Sequence, residues 1–330
     1  MIQHLASEEI KLPEEQALAL SIVVPLFNEC DNVDPLIAEI DSALANHPGG
    51  YEIVCVDDGS TDGTGARLHE LATRHQHVKL VRFGKNYGQT AAMSAGFHVA
   101  RAEIVVTMDG DLQNDPRDIP AMLKRMEEGF DIVSGWRRRR QDNFVTRTLP
   151  SRLANWLISK ITGVHLHDYG CTLKAYRREV LGRFELYGQL HRFIPALGAW
   201  VGGRVTEIEV NHRPRQRGTS KYGISRTLTV LLDLATVKFL MSYGSHPIRV
   251  FGFASFISAL IGITSFVGLV AMKLGPTAID MTGNPLLYLS MLGLIVAFQL
   301  LLMGILAEMI MRTYHEARDK RPYVIVEHIG

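Results

Sequence analysis

Residues 104–115 read IVVTMDGDLQND: an apolar strand runs directly into Asp109, Asp111 and Asp115, with Gln113 between them. Carboxylates held this close repel one another, so the pattern implies a positive charge among them. Two aspartates one residue apart at the end of a buried strand suit a hard divalent cation, Mg2+ or Mn2+. Such an ion keeps oxygen ligands and shares one or two carboxylates with substrate phosphates. Asp109, Asp111 and Gln113 are therefore the candidate metal set, with Asp111 the surest member. Gly110 is expected to let the backbone turn tightly, and Asp115 to open the next helix.

Working outward, the same logic repeats. Short β-rich runs at 20–25, 51–56, 78–82, 104–108 and 132–135 alternate with helical stretches at 33–45, 64–74, 89–100 and 119–128. Asp31 or Asn32 is the expected cap of the first helix. Strands of this length separated by helices imply a mostly parallel α/β sheet with both faces covered. Ligands of such sheets bind beyond the carboxyl ends of the strands. The polar clusters lie there: Asn28-Glu29, Asp57-Asp58, Lys85-Asn86 and Asp109-Asp111. Past residue 135 the pattern loosens into a helix over 148–162, another near 191–201 and a β-like run at 205–210.

The chain of 330 residues exceeds one ordinary domain, and its formal net charge of +1 argues against a nucleic-acid partner. Basic residues gather locally, at Arg137 to Arg140 and from Arg204 to Arg226, which suits a phosphate or a membrane surface better than a polyanion. Cys30, Cys55 and Cys171 show neither metal spacing nor a disulfide framework. The opening MIQHLASEEIKLPEEQ lacks the apolar core of a cleavable leader, so residues 1–18 are expected to form a tail. Two uncharged or nearly uncharged runs, about 250–272 and 286–311, are each long enough to span a bilayer, within a segment set at 246–312. Arg249 precedes them and Arg312, Arg318, Lys320 and Arg321 follow. Positive-inside logic then places the globular part, 19–224, and the tail, 313–330, in the cytosol. Residues 225–245 read as an amphipathic helix lying on the membrane.

Seven motifs carry a family resemblance: SIVVPLFNE (21–29), VDDGSTDGT (56–64), GKNYGQTAAMSAGF (84–97), MDGDLQNDP (108–116), DYGCTLKAYRR (168–178), HRFIP (191–195) and RGTSKYG (217–223). Together they resemble the membrane-bound polyprenyl-phosphate glycosyltransferases, the inverting group that includes dolichol-phosphate mannose synthase and bacterial undecaprenyl-phosphate sugar transferases. The likeness covers about residues 20–245. It implies a single α/β unit of the GT-A nucleotide-diphospho-sugar transferase fold, and an inner-membrane, multi-pass enzyme of cell-envelope glycan synthesis, able to associate through its membrane helices. Carried over, Pro25, Phe27, Glu29, Asp57 and Asp58 would face the nucleoside. Lys85, Asn86, Gln89 and Asp109 would complete the nucleotide-sugar site. Arg137, Arg213, Arg217, Ser220 and Lys221 would meet the lipid phosphate. The catalytic group would be Asp109, Asp111, Arg137 and Lys221.

Such an acceptor is already anionic and needs positioning and charge neutralisation instead of a base. Asp168 stands either as a base or sugar ligand or as a structural group. The expected donor is UDP-glucose, with GDP-mannose second. A processive polysaccharide synthase would carry a Q-x-x-R-W motif and more spans, neither of which is present. An inactive scaffold subunit is disfavoured by the intact Asp109, Asp111, Gln113 and Lys221. A dinucleotide oxidoreductase fails for want of G-x-G-x-x-G after the first strand.

Overall fold

In the computed structural model, residues 18–138, 149–184, 190–214, 233–239, 247–275, 280–316 and 323–330 are described, with positions 186, 188 and 242. Two compact units emerge, Met1–Val237 with Arg321–Gly330, and Lys238–Lys320.

The first unit is built on one sheet of β1 (Leu18–Leu26), β2 (Gly50–Asp57), β3 (Val78–Phe83), β4 (Ile104–Thr107), β5 (Ile132–Trp136), β6 (Lys174–Arg177), β7 (Val205–Glu209) and β8 (Ile325–Ile329). Their order is β7-β5-β6-β4-β1-β2-β3-β8. The central pairs β1–β2, β1–β4 and β2–β3 are parallel, so four carboxyl ends open on the same edge. Ile22, Val23 and Val24 of β1 are wholly buried, as are Ile53, Val54 and Val56 of β2. Apolar side chains on both faces require cover on both sides, which is why these strands read as unbroken hydrophobic runs. Helices α1 (Cys30–Leu44), α2 (Thr64–Arg74), α3 (Gln89–Val99) and α4 (Ile119–Glu127) supply the crossovers. The first of these begins earlier than expected: Glu29 holds the cap position, without a side-chain capping bond, in place of Asp31 or Asn32.

Two features fall outside a simple parallel pattern. Strand β6 inserts antiparallel between β4 and β5, pairing Lys174 with Thr107. It thereby sets the loop before Lys174 beside the carboxyl end of β4. Strand β8, from the tail beyond the apolar pair, adds antiparallel to the β3 edge.

In the second unit, helices Pro247–Leu274 and Pro285–Glu316 exceed the expected 250–272 and 286–311. Small residues let them approach: a Cβ on Gly293 would lie 2.9 Å from the Gly262 Cα. Ser258 and Ser255 donate across the pair to the carbonyls of Gly293 and Ala297, at 2.8 and 2.7 Å. Close backbones and interhelical hydroxyl bonds are what hold helices together in lipid, where no hydrophobic force does so. Phe253, Phe256 and Phe298 lie 63–68% exposed. A buried core helix would not present them so, whereas a lipid-facing one would; these are transmembrane helices. Of the amphipathic stretch at 225–245, residues 233–239 and 242 are helical and the rest lies outside the described residues.

Helix α3 sits hard on β1, because a Cβ on Gly96 would fall 2.2 Å from the Val23 Cγ1. Gly96→Ala should overpack this contact and destabilise the protein by about 1–3 kcal/mol. A lowered melting temperature of the detergent-solubilised protein checks this.

Candidate active site

The loops leaving β1 and β2 are stitched to each other. Asn28, at a φ of 54°, adopts the left-handed conformation that asparagine tolerates better than most residues. Its amide donates to the Ser60 hydroxyl at 2.9 Å, and its side-chain oxygen accepts from the Thr61 amide at 2.8 Å. The Glu29 amide donates to the Thr64 hydroxyl at 3.0 Å. Pro25 and Phe27 are thereby held at the lip of the sheet, half-buried, across from the Asp57-Asp58 turn. The Glu29 carboxylate accepts from Asn32 at 2.6 Å.

Asp57 is fully buried, accepts the Ser60 amide at 2.9 Å and lies 3.3 Å from the Arg82 guanidinium. Asp58 takes the amides of Tyr87 and Gly88, at 2.7 and 2.9 Å, on its two oxygens. Burial raises the Asp58 carboxyl above its ordinary range against the pull of those amides. The Lys85–Gln89 loop was expected to help complete the nucleotide-sugar site, where its amides would be free to meet a ligand. Two of them are instead bound to Asp58. Lys85 and Asn86 remain exposed, with the Lys85 ammonium over the Tyr87 ring.

At the end of β4, Asp109 is surrounded by neutral donors. Gln89 donates to one of its oxygens at 2.9 Å, Thr172 donates to the other, and its own amide donates to Asn114 at 2.9 Å. Burial, then the Asp111 charge, pushes Asp109 up to about 6. Asp111 is buried and accepts from the Gln113 amide at 3.2 Å. The tight turn comes from an unexpected residue. Leu112 carries the left-handed φ, at 60°, a strain of about 1–3 kcal/mol that the surrounding packing must hold. Gly110 is needed for space, since a Cβ there would lie 2.6 Å from the Leu26 Cδ2. Among the described residues no group of three His, Cys, Asp or Glu could hold a metal by itself. The paired carboxylates fit a cation that takes the rest of its shell from a diphosphate, as Mg2+ commonly does.

Further along, Arg137 grips Asp168 with two guanidinium nitrogens, at 2.7 and 3.1 Å. Burial opposes the arginine's charge, but the Asp168 carboxylate holds it above the usual arginine range. This pairing ties the end of β5 to the loop before β6. Arg213 is likewise engaged, by Glu39 at 2.7 Å and Asp115 at 2.8 Å. Its amide donates to the Gln113 carbonyl and its carbonyl accepts the Gln113 side-chain amide. A bridge between Asn114 and His212 completes this seam. Asp115 accepts the Arg117 amide and opens the following helical turn, as expected. Arg217, Ser220 and Lys221 lie outside the described residues, as do Arg139 and Arg140.

Sequence reasoning missed Thr172, Asn114 and Lys174. Lys174 is buried, donates to the carbonyls of Tyr169 and Cys171, and burial lowers its pKa. A lysine followed by alanine and tyrosine at the start of a covered strand was the available signal.

The family described as "Glycosyl transferase family 2" matches residues 21–184. A dodecaprenyl-phosphate galacturonate synthase of Rhizobium johnstonii is 43% identical over 95% of this chain and 94% of its own length. An undecaprenyl-phosphate 4-deoxy-4-formamido-L-arabinose transferase of Aeromonas hydrophila is 34% identical, over 93% and 92%. Among solved structures, mannosyl-3-phosphoglycerate synthase from Rubrobacter xylanophilus superposes with a TM-score of 0.53 at 20% identity, covering 67% of this chain and 74% of that one. Glucosyl-3-phosphoglycerate synthase from Mycobacterium tuberculosis, crystallised with Mn2+ and UDP-glucose, gives 0.52 at 17%, covering 67% and 79%. These two share the GT-A fold. The chain belongs to glycosyl transferase family 2, among the polyprenyl-phosphate glycosyltransferases.

With the Asp109 carboxyl pushed up to about 6, a cation bound there would have to displace its proton at lower pH. Mn2+ affinity, measured by calorimetry with nucleoside diphosphate, should be level above about pH 7 and fall about tenfold per unit below about pH 6. Because the folded-state value is raised, this carboxyl's contribution to stability is present at low pH and lost as pH rises through about 6. The gain in melting temperature from Mn2+ should accordingly be larger at about pH 7.5 than at about pH 5.

Proposed function

We propose that this glycosyltransferase moves a sugar from a UDP-sugar to a polyprenyl phosphate, with inversion at the anomeric carbon, and that the sugar is a uronate. The relative at 43% identity over nearly the whole chain carries the sugar assignment, being named for galacturonate. Glucose, the expectation from sequence, has no counterpart in the names of the two relatives.

The stitched loops at 25–29 and 57–64 would receive the nucleoside, and Asp109 and Asp111 the diphosphate. A divalent cation bound there would neutralise the diphosphate and ease its departure, in keeping with the Mn2+ in the glucosyl-3-phosphoglycerate synthase structure. The lipid phosphate oxygen would attack the anomeric carbon while the bond to the departing diphosphate breaks. No group needs to take a proton, and the locking of Asp168 by Arg137 agrees with that. Arg137 keeps further guanidinium donors for phosphate.

We assign Arg213 to anchoring, since two carboxylates hold it against the Gln113 segment. Arg217, Ser220 and Lys221 follow within eight residues, so they lie within roughly 28 Å of that anchor at about 3.5 Å per residue. They are the candidates for the acceptor phosphate. Strand β7 precedes the membrane helices and β8 follows them in the same sheet, which supports a chain that crosses and returns. Basic flanks favour the cytosolic side for that sheet.

The test is a donor screen on purified protein with undecaprenyl phosphate, scored by mass spectrometry of the lipid. UDP-galacturonate should give the lipid-linked uronate, and Asp111→Ala should give none while keeping its melting temperature. Preference for UDP-glucose or GDP-mannose would overturn the sugar assignment, and no lipid product from any donor the whole reading. Lys221→Ala should lower kcat/KM for the lipid by about ten- to a hundredfold, the loss of one charge-assisted phosphate contact. Donor affinity, measured by calorimetry without lipid, should stay unchanged.

A further inference from the structure

The tail beyond the second membrane helix does more than cover a sheet edge. Tyr323 is buried, and its ring stacks on Phe83 at 4.9 Å with an interplanar angle of 24°. Phe83 in turn meets the edge of Tyr87 at 5.5 Å. The Tyr87 amide is one of the two that hold the Asp58 carboxylate. Beneath this turn a Cβ on Gly59 would lie 2.3 Å from the Lys85 carbonyl carbon, so the Asp58-Gly59 turn rests directly on the 85–86 backbone.

A second line runs in parallel. Glu327 of β8 lies 3.7 Å from the Arg82 guanidinium and 2.6 Å from the His69 ring nitrogen. Arg82 also pairs with the buried Asp57. Both aspartates at the end of β2 are therefore backed by tail residues, Asp57 through Arg82 and Asp58 through Phe83 and then Tyr87. An edge strand that served only to block aggregation would need its backbone hydrogen bonds alone. Here one buried aromatic and one acid reach the supports of the donor cradle.

We propose that residues 323–330 are a positioning element of the donor site: Tyr323, through Phe83 and Tyr87, and Glu327, through Arg82, set the Asp57-Asp58 turn for the nucleoside. The proposal rests on the reading that Asp57 and Asp58 face the donor. It makes the chain that follows both apolar helices a part of nucleotide-sugar recognition.

Kinetics of the full-length enzyme decide the matter. In Tyr323→Ala the donor KM should rise about tenfold, the scale of one lost aromatic pair. The KM for polyprenyl phosphate should change by less than about twofold. Tyr323→Phe keeps the stack and should behave like the unaltered enzyme. If Tyr323→Ala fails to fold, Tyr323→Leu and Glu327→Gln carry the same test. An unchanged donor KM, equal changes in both KM values, or a Tyr323→Phe enzyme as impaired as the alanine variant would sink the proposal. Asp58→Ala separates the two levels. If it raises donor KM while the tail variants do not, the tail is passive; if it too leaves donor KM unchanged, the donor-site reading itself is wrong.

Discussion

The constraint on which the site depends is the placement of two carboxylates, Asp109 and Asp111, at the buried end of β4. Burial and the neighbouring Asp111 charge both disfavour the ionised form of Asp109. Asp109 is kept in place by uncharged partners from three directions: Gln89 opening α3 and Thr172 before β6 donate to its carboxylate, and Asn114 from its own loop accepts its backbone amide. Neutral donors fix geometry without cancelling charge. The pair thus keeps its appetite for a cation, while Arg137 and Lys174 lie near enough to favour the ionised state of Asp109.

Much of the unusual topology follows from that requirement. A purely parallel sheet would bring strand ends to this edge but no strand beginning. The antiparallel β6 delivers its amino-terminal loop there, and with it Thr172. Lys174 pins that loop through the carbonyls of Tyr169 and Cys171. A buried ammonium is costly, and its two carbonyl partners offset part of that cost. The same loop carries Asp168, which locks Arg137. One inserted strand therefore arranges a carboxylate's donor, a guanidinium's partner and a buried cation together.

The parallel core was legible because its information is local. Continuous Val and Ile runs, helical spacing and strand-end acids lie within single segments, and α2 matches its expected limits at 64–74. Pairings were not legible, because they join distant segments. Nothing local says that Asp58 takes the amides of Tyr87 and Gly88, or that Arg213 is held by Glu39. Gly110 was expected to let the turn after β4 tighten, and its actual role was hidden for a related reason. Glycine suggests conformational freedom, yet here it answers the approach of Leu26, and Leu112 bears the strain. The tail strand was hidden for lack of length: IVEHI alternates as an edge strand should, but five residues pair only where a partner edge is waiting.

That waiting edge is β3, and its availability has a physical cause. Strand β3 is the last of the parallel set, so its outer backbone groups would face solvent or another chain. Sealing it with a segment from beyond the membrane helices leaves no parallel crossover to build, since an antiparallel partner needs none. It also ties the end of the chain to its beginning around the apolar pair. The two transmembrane helices, held to each other by glycine contacts and serine hydroxyls, are thus closed into a loop by the sheet itself. Strands β3 and β8 can pair only where the chain before the apolar pair and the chain after it meet again, so the sheet is complete only once the tail has returned to that edge.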